Sequence, residues 1–346
     1  MMLFPRFFVY LQAVTSHRVM INHSNLADFQ AIYDYLLSVP FDVSRTKLYR
    51  AQELYEGFRA DVPDSYEKCY DKRVYDHFLS LGKQTKHFNE SMARTLHDHR
   101  IYVALGEFFR DHDYLKCVGI MGGHAMLRTD KMYRQIVFLC KRLTELGFCL
   151  LSGGGPGAME ATHLGAWMAG REEKDVEDAL RLLSEAPSFH DSTWLSTAFE
   201  VIGKYPQTKY ESLGIPTWLY GHEPSTPFAT HIAKFFENSI REHNILTLPF
   251  GGIIYTPGSA GTMQEIFQDA VQNHYLSFGF SSPMIFLGTE FWTNEIPAYP
   301  FLRQLTEAGK YKNLSLQLTD NPETIIQELI NFQERVKANP GEFNLQ

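Results

Sequence analysis

Cysteine is scarce in this 346-residue chain, and the four present, Cys69, Cys117, Cys140 and Cys149, include no CxxC pair. Three of them lie in apolar stretches, so they read as small buried hydrophobes of a protein in the reducing cytoplasm. Long hydrophobic runs are also missing, and no stretch approaches the length of a membrane span. The apolar start, residues 1–11, is broken by Pro5 and Arg6, and no clear small-residue cleavage site follows. It reads as a packed terminal segment and not as a signal peptide. Positive charge is in deficit, with 32 Lys and Arg against 40 Asp and Glu and a net charge of −8. That argues against a broad nucleic-acid surface, though it leaves room for a local basic pocket. No His, Cys and carboxylate cluster has metal-ligand spacing, so no required metal is expected.

Apolar residues are plentiful: the 44% hydrophobic and 14% aromatic content supports a sizeable core. The length exceeds one typical domain and allows one large domain plus an extra module. Residues 1–112 read as a helical module. Leu26, Phe29, Ile32, Tyr33, Leu36 and Leu37 recur at helix spacing, and amphipathic stretches follow at 51–58, 74–81 and 101–109. The character changes near Lys116. Strand signals at 117–121, 148–151, 215–220, 252–255, 283–287 and 314–318 alternate with helical patterns at 132–146, 230–245, 263–275, 301–308 and 324–336. Asp320-Asn-Pro-Glu323 is a capping pattern for the last helix. A charged segment at 171–210 reads as a helical insertion. Residues 113–346 are therefore expected to form an α/β domain with a doubly wound, mostly parallel, Rossmann-like sheet.

Two glycine-rich turns stand at expected strand ends. Leu151 runs into Ser152-Gly-Gly-Gly-Pro-Gly-Ala-Met-Glu160, and Tyr255 runs into Thr-Pro-Gly-Ser-Ala-Gly-Thr-Met-Gln-Glu265. A glycine turn between strand and helix gathers backbone N–H groups at the positive end of a helix dipole, which makes an anion site. Thr262 can cap the second helix and donate its hydroxyl to a phosphate. Glu265 lies about one turn further on and can face the same cavity. A third strand end, Gly122-Gly-His124, should open on the same edge.

Gly153-Gly-Gly-Pro-Gly-Ala-Met159 resembles the GGGxxGxM signature of the Lonely Guy (LOG) family of nucleoside 5′-monophosphate phosphoribohydrolases. Pro257-Gly-Ser-Ala-Gly-Thr-Met-Gln-Glu265 resembles that family's PGGxGTxxE signature. The longer run through Glu160 and Ala161 is similar to the larger bacterial pyrimidine/purine nucleotide nucleosidases, relatives that have also been labelled possible lysine decarboxylases. The likeness spans roughly residues 115–335. It implies cleavage of the N-glycosidic bond of a nucleoside monophosphate, without a cofactor. Glu265 and Arg241 would be the catalytic pair, and the protein a homodimer or higher symmetric oligomer. Gly122, Gly123, His124, Gly154, Gly155, Gly157, Met159, Glu160, Gly258, Ser259, Ala260, Gly261 and Thr262 would hold phosphate, ribose or base. The chain departs from the pattern at Ser259, where the family has glycine; serine stays small but loses easy access to positive φ.

Each residue also has a plainer reading. Arg241 suits a phosphate because its guanidinium stays charged and donates in a fork, yet it could pair with Glu237 or Glu242. Glu265 could stabilise positive charge on the ribose or activate water, or merely face solvent. Met159 and Glu160 fit contact with ribose or base, and helix capping and core packing, equally. Arg128 is a weaker phosphate candidate. His222-Glu-Pro-Ser-Thr-Pro227 fits part of a lid or an ordinary proline-rich loop. Apolar positions on the 230–245 and 263–275 helices, including Phe235, Phe236, Phe267 and Tyr275, could meet a second chain or be covered by the N-terminal helices. At the level of function, Gly153–Ala158 also satisfies GxGxxA, which keeps a dinucleotide-dependent oxidoreductase and a non-catalytic nucleotide sensor as alternatives. A pyridoxal-phosphate decarboxylase is the weakest reading, since no lysine stands in or beside either turn.

Overall fold

The computed structural model describes residues 23–339, so the expected packing of residues 1–11 lies outside it. Four helices come first: α1 (His23–Ser38), α2 (Ala51–Leu54), α3 (Tyr70–Ser80) and α4 (Phe88–Phe109). The α/β part follows as β1 (Cys117–Met121), α5 (Lys131–Glu145), β2 (Cys149–Ser152) and α6 (Ala158–Trp167). Then come α7 (Glu173–Leu183), α8 (Trp194–Lys204), β3 (Ser212–Gly214), β4 (His231–Ile232), α9 (Asn238–Thr247), β5 (Gly252–Tyr255) and α10 (Ala260–Tyr275). The chain closes with β6 (Pro283–Phe286), α11 (Ala298–Glu307), β7 (Ser315–Leu318) and α12 (Pro322–Ala338).

The strands form one seven-stranded parallel sheet in the order β4-β3-β2-β1-β5-β6-β7. This is the Rossmann-like α/β fold that the alternating pattern implies. The central strands are buried on both faces, which is why they read as unbroken apolar runs. Val118, Ile120, Leu150, Ile254 and Ile285 face a cluster built with α5, α6, α7 and α12. Met121, Leu151, Ile253, Tyr255 and Met284 face the opposite cluster. That second cluster also holds Phe41, Tyr49, Leu54, Phe78, Ile101 and Leu105, so the N-terminal helices pack onto the sheet domain through a continuous apolar layer.

Two expectations shift. The strand expected at 215–220 ends at Gly214, because Pro216 has no N–H for a ladder and Trp218–Tyr220 turn into a 3₁₀ helix. The helix expected at 230–245 is two pieces, the short strand β4 and then α9. β4 is the sheet edge, and Tyr49 covers it: Tyr49 and Ile232 exchange two backbone hydrogen bonds of 2.9 Å. Pairing an edge strand in this way removes its open donors and acceptors. The 171–210 segment is helical as expected, forming α7 and α8.

Candidate active site

β2, β1 and β5 are neighbours, so the turns at their carboxyl ends lie side by side. From β1 the chain first builds one half of the sheet, β2 to β4, and then crosses back to build β5 to β7. The β1/β5 junction is therefore the switch point where ligands bind in such sheets. The turns interlock. The Gly123 N–H donates to the Pro257 carbonyl at 3.0 Å, and the Gly123 carbonyl accepts from the Ala158 N–H at 3.1 Å. Gly122, Gly123 and His124 thus bridge the two glycine turns. Gly154 and Gly157 take left-handed φ values of 69° and 68°.

The second turn differs from expectation in detail. α10 begins at Ala260, with Ser259 at its N-cap, so Thr262 lies inside the first turn of the helix and does not cap it. Thr262 is buried, and its hydroxyl fills the space beside Gly258 that a side chain would need. Ser259 has a negative φ of −118°, so its replacement of the family glycine does not require a left-handed backbone. Gly261 is the opposite of Gly258: nothing lies within 4 Å of where its Cβ would stand. The first intrahelical bond closes only at Met263, whose N–H reaches the Ser259 carbonyl at 2.9 Å. The N–H groups of Ala260 and Gly261 therefore open onto free space at the positive end of a 16-residue helix.

A cleft lies beside the first turn, lined by Gly153, Gly155, Met159, Pro216, Thr217, Tyr220, Glu223 and Arg241. Arg241, on the first turn of α9, donates from Nε to the Ile215 carbonyl at 2.9 Å. Among the described residues no carboxylate pairs with its guanidinium, so the expected alternative of a salt bridge to Glu237 or Glu242 is not seen. A Cβ on Gly153 would stand 2.7 Å from Arg241 Nη2 and 2.6 Å from Met159 Sδ. Glycine there lets both side chains reach the turn.

Glu265 is half-buried, and desolvation pushes its carboxyl up to about 7; Arg241 pulls in the opposite direction and Glu242 adds to the rise. No described group hydrogen-bonds to it. A carboxyl poised near neutrality within the field of an arginine that has no carboxylate partner among the described residues is a pattern of functional sites. One turn deeper, Asp269 is buried and accepts the Tyr255 hydroxyl at 2.7 Å; burial raises it to about 7 as well.

Glu160 and Arg128 are placed elsewhere. Arg128 binds both Glu160 oxygens, at 2.6 and 2.9 Å, and Tyr133 adds a 2.9 Å bond. Arg128 also donates to the Ala186 and Trp194 carbonyls and to Thr197. The pair is engaged in tying α8, the Ala186 segment and α5 to α6, so neither side chain is available to a ligand in the cleft, and the expected ribose contact of Glu160 and phosphate contact of Arg128 have no geometric support. His124 is half-exposed, with Nδ1 3.7 Å from Glu223 Oε1.

Glu223, in the 222–227 loop whose sequence fits either part of a lid or an ordinary loop, reaches the cleft, and the Thr226 N–H anchors that loop to the Gly154 carbonyl at 2.8 Å. One further feature has no signal in the sequence. Beneath the first turn runs a buried chain: Ser152 Oγ accepts the Gly154 N–H at 3.1 Å and meets His163 Nε2 at 2.8 Å, and His163 Nδ1 meets Ser212 Oγ at 2.9 Å. Burial pushes His163 down to about 3, so it stays neutral and serves as a hydrogen-bonding strut. Nothing in the local sequence marks Ser212 as its partner.

No protein-family model matches the chain, and neither does any curated protein. Solved structures do. The chain is similar to the molybdenum cofactor binding protein from the phototrophic bacterium Rippkaea orientalis, at 16% identity and a TM-score of 0.39, over 63% of this chain and 96% of that one. It is similar also to TM1055, a structural-genomics target, at 18% identity and a TM-score of 0.40, over 63% of this chain and 98% of that one. At such distances the likeness concerns the arrangement of the chain and not the chemistry of the site. Among the described residues no group of side chains could hold a metal ion, and no helix is long and apolar enough to cross a membrane.

Proposed function

We propose that the protein is a nucleoside 5′-monophosphate phosphoribohydrolase that releases free base and ribose 5-phosphate. The observation that carries this reading is Glu265: a carboxyl held near pKa 7 without a protein partner, on the helix whose open N-terminal turn suits a phosphate, within electrostatic reach of Arg241. The resemblance of both glycine turns to LOG signatures supports it. In this reading the α10 N-terminus and Arg241 hold the phosphate. The C1′–N bond breaks with its electron pair leaving on the base, which takes up a proton. Positive charge grows on the ribose, and Glu265 stabilises it and accepts a proton from the water whose oxygen bonds to C1′.

A dinucleotide-dependent oxidoreductase is less well supported. The strand after the first glycine turn ends Gly214-Ile215-Pro216, with no carboxylate there for an adenosine ribose. Incubation with a panel of nucleoside monophosphates and the matching nucleosides, read by chromatography for free base, is the test. Monophosphates should be cleaved, with nucleosides worse by at least ~100-fold in kcat/KM. Nucleotide binding without base release would instead favour a sensor.

We also propose a cytoplasmic homodimer. The buried, unpaired cysteines fit a reducing compartment. Phe235 and Phe236, offered above as possible contacts with a second chain, are buried within this one. The dimer surface instead rests on Val271, Tyr275 and Phe301, which are exposed.

A further inference from the structure

The sequence gives the N-terminal helices no role. Their polar contacts give them one. Asp98, on α4, is buried, and its carboxylate accepts the backbone N–H of Phe236 at 3.0 Å and of Glu237 at 2.8 Å. Those residues lead directly into α9, which carries Arg241 on its first turn. Asp98 thus fixes the two residues that enter α9, whose N-cap Glu237 accepts the Ser239 N–H through its own side chain, and the Asp98 charge lies near the favourable end of the α9 dipole. Asp98 is itself held. His97 Nδ1 lies 2.9 Å from it, and because a carboxylate only accepts, Nδ1 carries the proton. His97 Nε2 then accepts from the Tyr49 hydroxyl at 2.8 Å.

A second buried carboxylate repeats the arrangement. Asp71, on α3, accepts Trp218 Nε1 at 2.9 Å and pairs with Lys234 at 2.7 Å. Lys234 also donates to Ser225 Oγ at 3.0 Å. Trp218 sits between Thr217 and Tyr220, which line the cleft, and Ser225 lies two residues past Glu223. Buried acids that spend their acceptors on another segment's backbone and side chains fix that segment's position, because release would strand the carboxylate unpaired.

We propose that the N-terminal helices hold the outer wall of the cleft in place from behind, with Asp98 and Asp71 as positioning residues for Arg241 and for the 217–225 segment. The claim rests on the proposed reading for its catalytic meaning, but its geometry can be tested without turnover. The test compares full-length Asp98→Asn, Asp71→Asn and Tyr49→Phe with the exposed control Asp111→Asn. Two readouts are taken: amide hydrogen exchange over residues 217–225 and 236–245, and KM and kcat, or Kd where turnover is absent, for adenosine 5′-monophosphate. Asp98→Asn should speed exchange at 236–245 by about tenfold and raise KM or Kd by about tenfold, while kcat stays within about threefold. Asp71→Asn should do the same at 217–225. Tyr49→Phe keeps the packed ring and should give a weaker effect of the same pattern as Asp98→Asn, and it decides the matter if the Asp98 variant does not fold. Wild-type exchange in those segments, or acceleration spread evenly over the sheet, overturns the proposal. Segment-specific exchange in a protein that releases no base from any nucleotide would leave the positioning role standing and remove the hydrolase reading.

Discussion

Glu265 differs from an ordinary helix glutamate through its surroundings. Burial raises its pKa to about 7, so its carboxylate form becomes dominant only above neutrality. If the reaction needs the carboxylate, kcat/KM should rise with pH and level off above about 7, where an unperturbed glutamate would give a limb near 4.5. Glu265→Gln keeps the shape and removes the charge. It should lower base release by at least ~100-fold and remove that limb, while nucleotide affinity by calorimetry stays within about threefold. Near-normal turnover of the purified variant would end the assignment. Asp269 makes a separate point about stability. Its pKa is raised from 3.8 to about 7, so the folded state binds the proton more tightly than the unfolded chain. Its contribution is therefore fully favourable at low pH and is lost as pH rises through about 7, by up to ~4 kcal/mol. Asp269→Asn should flatten that loss, so the variant's melting temperature relative to wild type should climb between pH 5 and pH 8.

At the scale of elements, the N-terminal turn of α10 should be the anion site, and Gly261 offers a clean probe. Its φ is not left-handed and no protein atom approaches its missing Cβ, so alanine fits the unliganded fold without strain. Alanine also favours a helix over glycine by about 0.5–1 kcal/mol. Gly261→Ala should therefore melt no lower than wild type yet bind nucleoside monophosphate at least about tenfold more weakly, because the methyl occupies the space left for phosphate. Equal affinity in a titration would move the phosphate elsewhere. The serine at 259 and the two glycines at 258 and 261 show why a motif is read best through its backbone. One position needs no glycine, one needs glycine for space inside the protein, and one leaves space outside it.

For the whole molecule, Val271 and Tyr275 on α10 and Phe301 on α11 are exposed large apolar side chains, the surface on which the proposed dimer rests. Light scattering at micromolar concentration should give about twice the chain's 39.8 kDa. A strictly monomeric protein that still hydrolyses nucleotides would remove the dimer and any shared site. Much of the architecture was legible from the chain alone. Alternating apolar runs and helical patterns dictate a parallel sheet, since a strand buried on both faces must be apolar throughout, and glycine turns after β2 and β5 must then lie at its carboxyl edge. Other features depend on contacts distant in sequence. Glu160 and Arg128 look like ligands beside a turn until they meet each other, Tyr133 of α5 and the Trp194 and Thr197 groups of α8. Phe235 and Phe236 look like an interface until both are buried in this chain's own core, with Phe41, Phe78 and Trp218 against Phe236. Glu223 reaches the cleft only because Tyr55, Lys234 and Thr226 hold its loop. Periodicity and turn chemistry act within a dozen residues, and so the sequence determined the sheet and its glycine edge, and put Glu265 one turn along the helix that follows. Desolvation, ion pairing and capping across a hundred residues or more require the folded chain, and they alone decided which charges are spent on structure and which stay, among the described residues, without a carboxylate or cation partner.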